Sequence, residues 1–306
     1  MNRKIYFDES LHKYTDEYSN TFTSVTTVIG KYTEKFDSEN VARICERIGK
    51  NPNHPKYNKY KGKTAKQLLN EWNNITQEAL DKGNKKHNYL EEVIKKSNNY
   101  KRVEGKFIND RIFTIPDIID NPLVGQITTE TLWELELDTK YPIIFELICG
   151  FVNDGWKLYS EIGVYNVNHL ISGLIDLLLV KDNSFVIMDW KTNKSDITYK
   201  SGYFEKDDKG NITDKFIEDN KTLLFPLNYM PASVGHKYSL QLSSYASLVE
   251  KFGLKCKGII LCHIQEKDDE EIVTPLSIKY YKSDVELMFN HHTSKNRVLH
   301  QSKLFI

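Results

Sequence analysis

Two carboxylates and an ammonium stand close together in the segment GLIDLLLVKDNSFVIMDWKTN, Gly173 to Asn193. Asp176 and Asp189 are thirteen positions apart, and Lys191 follows the second by two. Between the carboxylates lie two apolar runs, Leu177 to Val180 and Phe185 to Met188, joined by the polar tetrad Lys181-Asp182-Asn183-Ser184. That pattern predicts a β-hairpin. Side chains alternate along a strand, so Asp189 and Lys191 share a face and Trp190 takes the other. The hairpin brings Asp176 roughly opposite Asp189. Two close carboxylates repel, which makes a divalent cation a natural third party. A lysine beside such an ion can position a water or offset charge on a pentacoordinate phosphate. A bare Asp-x-Lys is common in ordinary surface salt bridges; the demanding feature is the whole pattern of G-x-I-D, strand, turn, strand and D-W-K-T-N.

Further chemistry-bearing residues flank this hairpin. In GNKKHNYLE, Gly83 to Glu91, the helical spacing places His87 and Glu91 on one face; a surface His–Glu pair would look the same. Glu161 opens the strand-like run YSEIGVYNV, where a solvated strand-end glutamate is the plain alternative. Gln241 and Tyr245 are four apart in SLQLSSY, so an amide and a phenol share one helix face and can hydrogen-bond a phosphate or the carboxylates.

These motifs, in this order, resemble the PD-(D/E)xK nuclease superfamily, specifically its RecB-like exonuclease branch, with G-x-x-D and D-x-K-T at the core, G-T-x-x-H-x-x-x-E upstream and Q-x-x-x-Y downstream. Asn84 replaces the usual threonine, and Ile175 stands where a proline can precede the first aspartate. The N-terminal block, with His12, Tyr14, Ser24, Val25, Thr26 and Ile29, is similar to that of phage-type members. The resemblance implies that Asp176, Asp189, His87 and the backbone carbonyl of Trp190 bind Mg²⁺ or Mn²⁺, and that Lys191 is catalytic. It places Glu161 at the family's acidic strand position, and gives Gln241 and Tyr245 the task of organising the site. It implies DNA, single-stranded or with free ends, as substrate, and a helicase or recombination protein as partner.

Composition is compatible with this. The 306 residues are 40% hydrophobic and 27% charged, which excludes a disordered chain. No apolar run approaches the ~20 residues of a membrane span, and Met1-Asn2-Arg3-Lys4 leads into no apolar signal region. The expected setting is the cytoplasm of a bacterial or phage-infected cell. Forty-two basic residues balance forty-two acidic ones, unlike a passive nucleic-acid coat protein. Charge is uneven, however. Arg47 to Asn70 contains seven basic residues and no acidic one. There Lys56, Tyr57, Lys59, Tyr60, Lys61 and Lys63, with Trp72 beyond, read either as a track for phosphates and stacked bases or as a solvated loop. The four cysteines, Cys45, Cys149, Cys256 and Cys262, form no CxxC pair. That argues against zinc and against the iron–sulfur cluster some RecB-like relatives hold.

The elements that must position these residues can be read in outline. A hairpin and a strand or helix start occupy residues 1–30. A helix spans 37–50 between an Asp37 or Ser38 cap and Gly49, and a polar loop runs from Asn51 to Lys63. A helical stripe of Leu68, Leu69, Trp72, Ile75, Ala79 and Leu80 ends at Gly83, where a second helix carrying His87 begins. Phe145 to Trp156 reads as a core-packed helix, His236 to Phe252 as another, and 256–264 and 272–278 as strands. In the C-terminal tail no functional signal is legible, and His291, His292 and His300 lack ligand spacing. The expected fold is α/β: a restriction-endonuclease-like core, a mixed central sheet flanked by helices, with an N-terminal hairpin and helical subdomain. Residues 1–100 would carry the hairpin, the DNA-gripping region and the histidine motif; 101–306 would form the nuclease core with an insertion at 195–235, the whole one compact unit. The expected activity is metal-dependent exonuclease or end-processing cleavage of DNA in recombination, repair or phage DNA metabolism. The alternative is a nucleic-acid-binding subunit of a helicase–nuclease or recombination complex with little catalysis of its own.

Overall fold

The computed structural model describes residues 2–8, 11, 13–97, 111–121, 132–133, 136–207, 212–267 and 270–303, with backbone alone at 91–97, 111, 267 and 296–303. His12 and the side chain of Glu91 lie outside the described residues.

A short antiparallel meander opens the chain: β1 (Ile5–Asp8), β2 (Lys13–Asp16) and β3 (Thr21–Ser24). Ser24 ends the last strand and caps α1 (Val25–Gly30), its hydroxyl accepting the Thr27 N–H at 3.1 Å. α2 (Ser38–Ile48) starts at the Asp37 cap and stops at Gly49, as expected. α3 (Tyr57–Tyr60) puts one helical turn inside the segment expected to be loop. α4 (Ala65–Ser97) then runs for 33 residues. Gly83 does not interrupt it: the cost of about 1 kcal/mol for a mid-helix glycine is small beside the cooperativity of a long helix.

β4 (Arg111–Ile112) and α5 (Ile115–Asp120) precede α6 (Leu137–Lys140) and α7 (Pro142–Asn153). Three long strands follow: β5 (Lys157–Asn166), β6 (Ile171–Lys181) and β7 (Ser184–Thr192), joined antiparallel. The β6–β7 turn is the expected one: Lys181 pairs with Ser184, and Asp182 takes a positive φ of 51°. The hairpin β8 (Gly202–Lys206) and β9 (Ile212–Glu218) forms its own two-stranded sheet. After α8 (Val234–Glu250) come β10 (Lys255–Lys267), β11 (Glu270–Ser277) and α9 (Lys282–Lys303).

The main sheet runs β11-β10-β7-β6-β3-β2-β1-β4, with β5 also on β6. β10 lies parallel to β7 and β3 parallel to β6; the other pairs are antiparallel. The class is therefore mixed α/β, as expected. Helices cover both faces. Phe185 and Ile187 of β7 pack with Leu240, Leu242 and Ala246 of α8, while Val186, Met188 and Trp190 pack with Ile144 and Ile148 of α7. All six residues from Phe185 to Trp190 are buried, as a strand covered on both sides requires.

The chain divides into two compact units. One comprises 1–33, 89–202 and 218–306 and holds the large sheet. The other comprises 34–88 and 203–217; its small core is built from Ala42, Cys45 and Leu68, with Tyr60 and Trp72 packed against it. The C-terminal segment, read as uninformative, is a helix that buries Val285, Met288 and Phe289 in the first unit. No described helix is long and apolar enough to cross a membrane.

Candidate active site

The site begins where two strands part. On one side β6 pairs with β5 along its length. On the other it pairs first with β3, through Ile171 and Ser172, and then with β7, from Leu177↔Met188 to the turn. Among the described pairings, Gly173 to Asp176 have no partner on that side, and β7 beyond Met188 pairs with β10 alone. Asp176 and Asp189 are the first residues past the last β6–β7 pair, so they face each other at the mouth of a fork. The Trp190 N–H donates to Asp176 Oδ2 at 3.2 Å and holds that mouth. Both aspartates are buried.

Glu161 sits on the third strand at the same level. The β5–β6 register, Ser160↔Leu177 and Ile162↔Ile175, places it across from Asp176. At this pair the facing of both strands slips by one residue. Tyr159 and Ile162 lie in the α8-side core, as do Ile175 and Leu178, although strict alternation would separate the members of each pair. Glu161 accommodates the slip with φ at 54°, a left-handed conformation that strains a residue bearing a Cβ. Carboxylate oxygens of Glu161 and Asp176 come within 4.8 Å of each other. Two oxygens on opposite sides of a Mg²⁺ would be about 4.2 Å apart, given bonds of about 2.1 Å. The spacing and the all-oxygen chemistry of this pair therefore fit a hard divalent cation.

Lys191 completes the face. Its Nζ lies 2.7 Å from Asp189 Oδ2, and the side chain is largely buried. Burial alone would lower the ammonium pKa; the carboxylates of Asp189 and Asp176, with the hydrogen bond to Asp189, outweigh it and raise the pKa. Lys191 is thus a charged donor rather than a base in this state. Trp190 points the other way, into the α7-side core.

α8 roofs the site. Its stripe of Leu242, Tyr245, Leu248 and Val249 is buried, and Gln241 Nε2 donates to the Tyr245 hydroxyl at 3.0 Å. The Tyr245 ring reaches the sheet at Gly173: a Cβ there would meet ring carbon Cε1 at 2.4 Å. Burial first, and then the Asp189 charge, push the Tyr245 phenol well above its ordinary pKa, so it stays a proton donor. Tyr14 of β2, named above only as part of an N-terminal block, is a further member. Burial and then the Glu161 charge raise its pKa. Its signal was hidden because β3, not β2, carries the meander to β6, some 150 positions away in sequence.

The second unit holds the remaining candidates. His87 stands half-buried on α4, near the unit's end. Lys56, Lys59 and Lys61 are exposed. Lys61 also lies 5.5 Å from the Tyr57 ring centroid, and Lys63 pairs with Glu71 at 2.7 Å. Trp72 packs near Phe36 with ring centroids 6.4 Å apart. Tyr60 packs beside Cys45, and its hydroxyl pKa is pushed up to about 12 by burial and the hydrogen bond with that thiol. Tyr60 and Trp72 thus serve the unit's core as well as its surface. All four cysteines are free thiols.

No family model matches the chain, and no curated protein matches it. Solved structures similar to it include SSO0001, at 16% identity over 50% of this chain and 55% of that one, TM-score 0.25. Another is described as "Putative exonuclease" from Eubacterium rectale, at 13% identity over 60% and 59%, TM-score 0.29. The chain spans between half and three fifths of the length of either. Likenesses this distant leave the function to be argued from the site itself.

Proposed function

We propose that the protein is a metal-dependent DNA exonuclease or end-processing nuclease of the RecB-like kind. The observation that carries this is the fork. Asp176 and Asp189 face each other at its mouth, Glu161 lies across from Asp176, and the Lys191 ammonium lies 2.7 Å from Asp189. Two buried carboxylates, the half-buried Glu161 and one cation together carry surplus negative charge, which a bound divalent ion would neutralise. Asp176, Asp189 and Glu161 would hold Mg²⁺ or Mn²⁺, with the Trp190 carbonyl as a further donor. When bound, the cation supplies Lewis acidity toward a phosphoryl oxygen and makes a coordinated water more acidic.

The chain's own residues supply the rest. The Lys191 ammonium orients the attacking water and offsets the charge that accumulates on the phosphate as the new P–O bond forms and the ester P–O bond breaks. Gln241 holds the Tyr245 hydroxyl, which remains a donor to a carboxylate or phosphate oxygen. Exposed Lys56, Lys59 and Lys61 would bind backbone phosphates in a salt-dependent way.

The test is purified protein with Mg²⁺ or Mn²⁺ and end-labelled DNA, with linear and circular single strands compared to separate exonucleolytic from endonucleolytic cutting. Asp176→Asn, Asp189→Asn and Lys191→Ala should each lower cleavage by about 10²-fold or more while the circular dichroism spectrum is unchanged. A folded but inert wild type, or a Lys191→Ala variant as active as wild type, overturns the reading.

A further inference from the structure

Beyond these residues, the geometry points to Tyr238 as a positioning residue that aims Lys191, an inference that rests on the nuclease reading of the site. Tyr238 lies on α8 three positions before Gln241 and seven before Tyr245, on the face that turns toward the sheet. Its ring centroid is 5.6 Å from Lys191 Nζ. Its hydroxyl donates to Asn193 Oδ1 at 2.9 Å, and Asn193 follows Lys191 by two positions, just past the end of β7. The ring is thereby fixed to the residue next to the end of the strand that carries the lysine it faces. The start of α8 is fixed as well, since the Gly235 N–H donates to the Thr198 carbonyl at 2.9 Å.

A lysine has a flexible four-carbon stem, and one ion-pair partner does not define where its charge points. Asp189 anchors the Lys191 ammonium on one side. The electron-rich face of Tyr238 is a second attraction, within the ~6 Å over which cation–π contacts act. With both, the ammonium has one preferred place rather than an arc of places about Asp189. Displacement of about 1 Å in a catalytic group can cost about 10²-fold in rate, so an aimed lysine affects turnover more than substrate binding.

Two readouts test this. In protein labelled with ¹³C-lysine, the Lys191 ε-methylene signal is identified by its loss in Lys191→Arg. It should move in Tyr238→Leu and stay near its native position in Tyr238→Phe, which keeps the ring. In cleavage assays, Tyr238→Leu should lower kcat by about tenfold with KM changed less than about twofold, and Tyr238→Phe should restore most of the loss. In a Lys191→Ala background, Tyr238→Leu should cause no further loss. An unmoved Lys191 signal in Tyr238→Leu overturns the inference, as does an equal kcat loss with and without Lys191. If wild type and Lys191→Ala cleave alike, the nuclease reading fails on its own, while the lysine signal still decides whether Tyr238 places Lys191.

Discussion

Gly173 shows how much one hydrogen atom decides at this site. Tyr245 lies against it so closely that a Cβ would meet the ring at 2.4 Å, and the ring is buried, with little room to retreat. Gly173→Ala should therefore destabilise the protein by about 1–3 kcal/mol, the range for overpacking a core, read as a shift in the urea midpoint at constant slope. The loss should be much smaller when the same change is made in Tyr245→Leu, because the clashing ring carbon is then absent. Residues differ in how openly the sequence shows them. Asp176, Asp189 and Lys191 were legible because a strand repeats every two residues and a polar tetrad marks the turn. Glu161 was legible as an acid but not in its facing. Nothing local announces that it takes φ 54° or that both strands slip one residue at its level. That slip exists only because two strands meet there.

Among the helices, α8 brings the most to the site, and a side-chain cap helps start it. The Ser233 hydroxyl accepts the His236 N–H at 3.1 Å and lies 2.8 Å from that residue's Nδ1. Ser233→Ala should cost about 0.5–2 kcal/mol, measured by urea unfolding. It should leave Tyr245 in place, since the buried positions from Ser239 to Val249 still hold the helix in the core. α8 could be read from its sequence because a long apolar stripe at helical spacing ends near Gly253. Two other helices could not. α4 runs through Gly83, where composition argues for a break but helix length prevails. α9 buries Val285, Met288 and Phe289, a spacing of three and four diluted by polar neighbours, so its docking shows only once the core it covers is formed.

At the scale of the molecule, α9 also makes stability depend on pH. His292 is buried, and its pKa is lowered to about 4, first by burial and then by Lys31, His169 and His291. The unfolded chain, with an ordinary histidine pKa near 6.5, binds the proton more readily than the folded one. Stability is therefore full above about 6.5 and is lost as pH falls toward 4. At pH 5 the loss from this residue should be on the order of 2 kcal/mol. It should be read from urea midpoints at pH 7 and 5, and the difference should shrink in His292→Gln. Asp16 acts in a lower window. Burial opposes its charge, but hydrogen bonds from Asn20 and Tyr18, with Arg3, lower its pKa overall. Its contribution is present above the unfolded carboxylate value of about 4 and is lost below that.

The parallel pairing of β10 with β7 has a consequence in time. Lys191 leaves the ribosome 54 residues before Tyr245 and 64 before β10 begins at Lys255. During that interval β7 presents an unprotected apolar edge of the kind that recruits other strands. It also carries two of the site's charges without the strand or the helix that will cover them. α8 ends the second condition and the incoming β10, a few residues later, ends the first. A nascent chain that has not yet reached β10 therefore has its site residues in hand while still exposed to aggregation, and it is the last strand beside β7 that makes the protein safe to release.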